Sequence, residues 1–216
     1  MTSKTAFALQ TLFSTASRDR CMAKMMKFRI PRIRGKEPTA TAAVLIPICS
    51  VEDTPSLLYT LRADNLRSHS GQISFPGGKK DNNETPIQTA LRETEEEIGL
   101  SRTKVEVWGQ GPAVPGRNNK IMITPVVGTI KRLEEKDLDI NEDEVAEIFT
   151  LPLETLCDKK HQFYTQFSNG YILPVYKVDH YRIWGVTAFL THMFLSSLLT
   201  RDIYNNEWMK QKVELK

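Results

Sequence analysis

The sequence predicts a layered α/β sandwich, in which two main helices pack against a mixed set of strands. Three observations point there. Ile87, Ala90, Leu91 and Ile98 recur at helical spacing between Thr85-Pro86 and Gly99. Residues 186–199 form a second helical run, apolar enough to be buried. Around these two lie short runs rich in β-branched and aromatic residues, bounded by Gly, Pro, Asn and Asp.

In chain order, residues 1–36 come first. They hold nine Lys or Arg and one acid, Asp19. Leu9, Leu12, Phe13 and Ala16 can share a helical face. A basic, Ser- and Ala-rich, acid-poor leader has the composition of a mitochondrial transit peptide, so residues 1–36 are expected to be a targeting segment rather than part of the fold. The alternative is a basic tail on a cytoplasmic protein.

The domain is expected over 38–200. Strands are predicted at 39–49 and 56–62, joined by a turn at Asp53-Thr54-Pro55. The glycine pair Gly77-Gly78 reads as a sharp turn. A helix follows, opened by Thr85 as the capping hydroxyl with Pro86 at its first position, and stopped by Gly99. Further strands are predicted at 104–109, 121–130 and 144–149, then a short helix opening at Pro152. Residues 171–178 and 181–185 read as a hairpin before the last helix, and 201–216 as a polar tail.

Hydrophobic content of 40% and charged content of 25% are ordinary for a globular protein. No apolar run approaches the roughly 20 residues that span a bilayer, so no membrane partner is expected. The net charge of +3 comes from the leader, because the remainder is acidic. It gives no reason to expect a nucleic-acid partner. Cys21, Cys49 and Cys157 match no zinc or CxxC spacing. Their low, odd count suits a reducing compartment.

The chemistry is concentrated in residues 77–100, GGKKDNNETPIQTALRETEEEIGL. Glu84, Glu93, Glu95, Glu96 and Glu97 crowd this stretch. Like charges one turn apart destabilise a helix, so something positive is expected to offset them. At about 100° per residue, Glu93, Glu96 and Glu97 fall within an arc of roughly 100°, beside the apolar stripe. Glu95 points to solvent. Three oxygen donors on one side of a rigid helix suit a hard divalent ion, Mg²⁺ or Mn²⁺, better than zinc.

Gly78, five residues, Glu84, seven residues and then Arg92-Glu93-Thr94-Glu95-Glu96-Glu97-Ile98-Gly99-Leu100 resemble the Nudix box. Every charged and glycine position of that pattern is matched. Thr94 stands where an aliphatic residue is usual, and its place on the apolar stripe puts packing rather than chemistry in question. The resemblance implies an α/β/α sandwich with a mixed sheet and metal-dependent hydrolysis of a nucleoside diphosphate derivative. It makes Glu93 and Glu97 the principal metal ligands and Glu96 a further ligand or water-positioning group. The Gly77 carbonyl is a possible addition to the shell. Arg92 would orient the glutamates by ion pairing, and Glu84 would close the loop onto the helix. The base that deprotonates water is a box glutamate in some members and an acid on a later loop in others. Glu142, Asp143, Glu144 and Glu147 are candidates here, and Glu144 is the choice.

Upstream, Leu57-Leu58-Tyr59-Thr60-Leu61-Arg62-Ala63, then Arg67, His69, Gly71-Gln72 and Phe75-Pro76-Gly77-Gly78, resemble the coenzyme A branch of the family. Residues 183–188, IWGVTA, do so as well. This implies hydrolysis of CoA or acyl-CoA to 3′,5′-ADP and (acyl-)4′-phosphopantetheine. Arg62, Arg67, His69 and Lys79 are the candidate partners of the substrate's phosphates. Two other readings stand beside it. One is a Nudix pyrophosphatase for ADP-ribose, NADH or another nucleotide. The other is a binding module without catalysis, which the full set of box carboxylates disfavours.

Overall fold

The computed structural model describes residues 7–30, 37–63, 71–81, 83–116, 120–167 and 170–214. Its frame is a mixed sheet built on β1 (Ala40–Val51) and β2 (Thr54–Arg62). Glu52 and Asp53 both take positive φ in the tight turn that joins them. The two strands pair only near that turn, Ile48–Val51 against Leu57–Thr54. Beyond it they part, and the chain that follows fills the gap. β3 (Ile73–Ser74) pairs with Thr60 and Leu61 of β2, and β4 (Gly77–Lys79) pairs with Ala42–Val44 of β1. The glycine pair is therefore a short strand wedged into the split rather than a sharp turn. Gly77 has φ +147°, and a Cβ there would lie 2.3 Å from the Ala43 carbonyl oxygen and 2.5 Å from Val44 Cα. Only glycine allows this approach to β1.

β5 (Glu106–Gln110), β6 (Val114–Pro115) and β7 (Ile121–Ile130) extend the sheet beyond β1, with β1 and β7 parallel. β8 (Val145–Pro152) covers the other side of β2. Alternation along the strands separates two cores. Ala43, Leu45, Cys49 and Leu58 face one way, onto α3 (Pro86–Ile98) through Ala90 and Ile98. Ile46, Ile48, Leu57 and Tyr59 face the other, onto α5 (Gly185–Leu198) through Leu190, Met193, Phe194 and Leu195. The result is the expected α/β/α sandwich. α3 opens and closes as the sequence predicts: Thr85 and Gln88 form a reciprocal capping box, Pro86 is first in the helix, and Gly99 stops it in the left-handed region at φ +68°.

The structure differs from the sequence reading at both ends. α1 (Leu9–Leu12) and α2 (Thr15–Met26) form within the stretch expected to lie outside the fold. Leu12, Cys21 and Met25 are buried in the same core as α5. Gly109 and Gly111 leave room for this helix: a Cβ on either would press on the Met22 or Met25 methyl carbon, at 3.3 and 3.0 Å. Arg18 pairs with Glu106 and lies 5.9 Å over the Trp108 ring.

The segment after α5 is also packed rather than frayed. Tyr204 and Trp208 are buried. The Tyr204 hydroxyl meets His192 Nδ1 at 2.8 Å and the Tyr176 hydroxyl at 2.5 Å. Burial holds His192 neutral, its pKa lowered to about 4.

α4 (Leu153–Cys157) follows β8 as expected. β9 (Gln162–Gln166) was not foreseen. It joins β10 (Ile172–Val178) and β11 (Tyr181–Ile183) in a second, antiparallel sheet. No helix among the described residues is long and apolar enough to cross a membrane.

Candidate active site

Insertion of β4 into the split brings the glycine pair against the acidic face of α3. Arg92 lies at the centre of that face. Its Nε donates to Glu84 Oε1 at 2.7 Å and its Nη1 to Glu96 Oε2 at 2.7 Å. Nη2 donates to Glu93 Oε1 at 2.9 Å, to Glu84 Oε2 at 3.1 Å and to the Lys79 carbonyl at 3.2 Å. One planar fork thus joins three carboxylates and β4. It supplies the positive charge that the glutamate density requires.

Glu84 also accepts from the Thr89 hydroxyl at 2.9 Å and from the Asp81 N–H at 3.2 Å. Hydrogen bonding to Arg92 draws its pKa down to about 2. Glu84 therefore stays ionised and ties the 81–84 loop to the helix. Glu95 lies off this face, where its Oε2 accepts from Arg102 at 2.6 and 2.8 Å.

The three carboxylates expected to converge sit at different depths. Glu96 is half exposed, Glu93 is more covered, and the Glu97 side chain is only 3% exposed. Glu97 Oε2 accepts the Gly77 N–H at 3.0 Å, and Oε1 lies 3.5 Å from Arg62 Nη1. Burial is the main cause that raises the Glu97 pKa, to about 7. The nearby Glu144 and Glu93 charges add to it, while the Gly77 N–H and Arg62 oppose them. Burial likewise raises the Glu93 pKa against Arg92, with Glu96 and Glu144 adding to the rise.

Glu144 belongs to the same electrostatic group, although it comes from a separate loop. It immediately precedes β8, and its carbonyl accepts the Ala63 N–H at 3.0 Å beside the end of β2. Glu147, of the same acidic run, is engaged elsewhere. Glu147 accepts the Tyr181 hydroxyl at 2.5 Å, and it pairs with Leu61, whose side chain packs in the α5 core.

As they stand, no three acidic, His or Cys side chains among the described residues are gathered around a point. Arg92 holds Glu93 and Glu96, while Gly77 and Arg62 hold Glu97. The chemistry of the donor set nonetheless fits a hard divalent ion. All donors are oxygen, and the Glu144 charge adds to the cost of ionising Glu93 and Glu97, which a cation among them would relieve. The Gly77 N–H is turned to Glu97.

Of the cationic candidates, Lys79 is exposed on β4, and Arg62 is engaged with Glu97. Arg67 and His69 lie outside the described residues. Sequence reasoning missed the contact of Arg62 with Glu97 and the closeness of Gly78 to Glu93, whose carboxylate oxygen lies 2.3 Å from where a Cβ on residue 78 would be. Strand parity carried a signal for the first, because Arg62 shares its face with Leu58, which packs under α3.

A family model described as NUDIX domain matches residues 39–171. The chain is 43% identical over 173 residues to the mitochondrial coenzyme A diphosphatase NUDT8 of Mus musculus, covering 77% of this chain and 81% of that one. Identity to the Homo sapiens protein of the same name is also 43%, covering 77% and 72%. Nudix hydrolase 3 of Caenorhabditis elegans is 36% identical over 195 residues, covering 81% and 80%. The box geometry on α3 and these similarities agree: the chain belongs to the Nudix hydrolase family.

Proposed function

We propose that the protein is a coenzyme A diphosphatase, which hydrolyses the pyrophosphate of CoA or acyl-CoA to 3′,5′-ADP and (acyl-)4′-phosphopantetheine. The observation that carries this reading is the 43% identity, over most of both chains, to proteins named as mitochondrial coenzyme A diphosphatases. The segment from Leu57 to Gly78 supports it, because β2, β3 and β4 carry it directly to the carboxylate face of α3.

Glu93 and Glu97 would hold a divalent ion, Mg²⁺ or Mn²⁺, with Glu96 as a further ligand or a group that orients water. Such ions, when bound, neutralise phosphate oxygens and lower the pKa of water. The chain's own residues supply the rest. Arg92, fixed by Glu84, sets the direction of Glu93 and Glu96. Glu144 takes the proton of the attacking water at its carboxylate. Lys79, with Arg67 and His69, supplies cationic partners for the substrate's phosphates.

A mitochondrial location belongs to this reading. It is supported by the basic, acid-poor first 36 residues and by the names of the two relatives. A reporter fused to residues 1–36 that stayed cytosolic would remove that part.

The decisive experiment is a substrate panel of CoA, acyl-CoA, dephospho-CoA, ADP-ribose and NADH, run with Mg²⁺ and with Mn²⁺, and read by mass spectrometry. Release of 3′,5′-ADP from CoA as the preferred reaction is expected. Preference for ADP-ribose or NADH would overturn the coenzyme A assignment and leave a Nudix hydrolase of other specificity.

A further inference from the structure

We propose that Arg62 is a positioning residue for Glu97, rather than a partner of the substrate's phosphates. Glu97 is nearly sealed from solvent, and each of its oxygens has its own anchor. The Gly77 N–H holds Oε2 at 3.0 Å, and the Arg62 guanidinium stands 3.5 Å from Oε1. A buried carboxyl group held between a fixed amide and a guanidinium has one orientation.

The backbone around Arg62 is held just as closely. Its N–H donates to the Gln72 carbonyl at 3.1 Å, and its carbonyl accepts the Gly71 N–H at 3.2 Å. Arg62 is thus paired through its backbone with Gly71 and Gln72. Next to it, the Ala63 N–H donates to the Glu144 carbonyl at 3.0 Å. β8 carries an extra residue opposite the Leu61–Arg62 step, where the register shifts. Such bulges redirect a strand end and the side chain it carries. Arg62 therefore links three parts: the buried glutamate of the box, the loop that carries Glu144, and the segment that leads to the glycine pair.

This assignment deepens the pyrophosphatase reading and changes what the residue is expected to do. A partner of the 3′-phosphate distinguishes CoA from dephospho-CoA and acts mainly through KM, and a partner of the pyrophosphate, which acts on both, shows no coupling to Glu97 in the absence of substrate. A residue that holds Glu97 serves every pyrophosphate substrate alike and acts through kcat.

The test has two parts. The first is a thermal double-mutant cycle of Arg62→Ala and Glu97→Gln on protein kept metal-free with a chelator. Arg62→Ala alone is expected to lower Tm, because it removes the side chain that anchors one oxygen of the buried Glu97 carboxyl group. In the Glu97→Gln background the same change is expected to lower Tm little or not at all. Equal losses in both backgrounds would overturn the proposal.

The second part is kinetic. Arg62→Ala is expected to lower kcat roughly ten- to a hundredfold on CoA and dephospho-CoA alike, with KM nearly unchanged. Arg62→Lys, which keeps the charge and protects against a folding failure, is expected to restore part of the rate. A rise in KM confined to CoA would overturn the proposal in favour of 3′-phosphate binding. The thermal cycle uses no substrate, so a failure of the coenzyme A assignment leaves it able to decide.

Discussion

The Glu93 carboxylate occupies the space that a β-carbon on residue 78 would take, 2.3 Å from its ideal position. Gly78 is thus the wall against which a candidate metal ligand rests. Gly78→Ala is expected to push the Glu93 side chain aside and to leave the fold in place, because the colliding atoms end a flexible side chain. A misplacement of this kind costs about 10²-fold in rate. kcat should fall by that order while circular dichroism and the unfolding transition stay close to wild type. A rate near wild type would separate Glu93 from the chemistry.

Glu97→Gln keeps the size of the side chain and removes its charge. It is expected to lower kcat by about 10³-fold or more, since metal-held charge stabilisation is worth several kcal/mol. Glu95→Gln is the control, because Glu95 faces Arg102 at the surface. Steady-state kinetics with saturating Mg²⁺ decide between them, and equal rates for the two variants would refute the assignment.

The pH dependence of stability without metal follows from the same glutamate. Its folded pKa, about 7, lies above its ordinary value of 4.5. The folded protein therefore binds this proton more tightly than the unfolded chain. The stabilisation is fully present below pH 4.5 and is lost as pH rises to 7. At 1.36 kcal/mol per unit the swing is about 3 kcal/mol. Urea midpoints in chelator across that window should show wild type losing stability relative to Glu97→Gln. A constant difference would contradict the burial argument.

Met25→Ala is expected to destabilise the protein by about 2–5 kcal/mol, the range for truncating a buried methionine. Met25 is fully buried, and its methyl group lies against Gly111. Activity per folded molecule should be unchanged. Urea denaturation would test this, and a shift no larger than that of a surface substitution would show that α2 contributes nothing to the core.

Thr94→Val should leave kcat unchanged and alter stability by about 1 kcal/mol or less. Thr94 is buried, and its hydroxyl donates to the Ala90 carbonyl at 2.6 Å within the same helix. The departure from the usual aliphatic residue is thus satisfied locally. A large loss of rate would mean that this hydroxyl reaches the site.

The helix that carries the candidate site was legible because its signals are local. Capping, helical period and charge spacing all lie within residues 84–99, and the helix forms between those caps. The sheet strands were readable from their β-branched runs for the same reason. What stayed hidden depends on contacts far apart in sequence. β9 is a short run of mixed polarity, defined only by its pairing with β10. The last segment looked polar, yet Tyr204 and Trp208 are covered by α5. In the first 36 residues the basic composition masked Leu12, Cys21 and Met25, three scattered positions that become a buried face only when α5 and β5 are present. Arg62 was assigned to the substrate because its sequence neighbourhood named its motif but not its partner, 35 residues away.

The docked α2 helix has a consequence for the order of events in the protein's life. Cys21 and Met25 lie in the same basic stretch that serves as the expected organelle address. While they are packed against α5, a receptor has no access to that face of the helix. Under the mitochondrial reading proposed above, such an address would be readable on the nascent or unfolded chain and concealed once the domain forms. A protease that cut between α2 and β1 would strip side chains from the core and open the groove at Gly109 and Gly111 to water. Under that reading, a substitution at Cys21 or Met25 that changes delivery would also change the core.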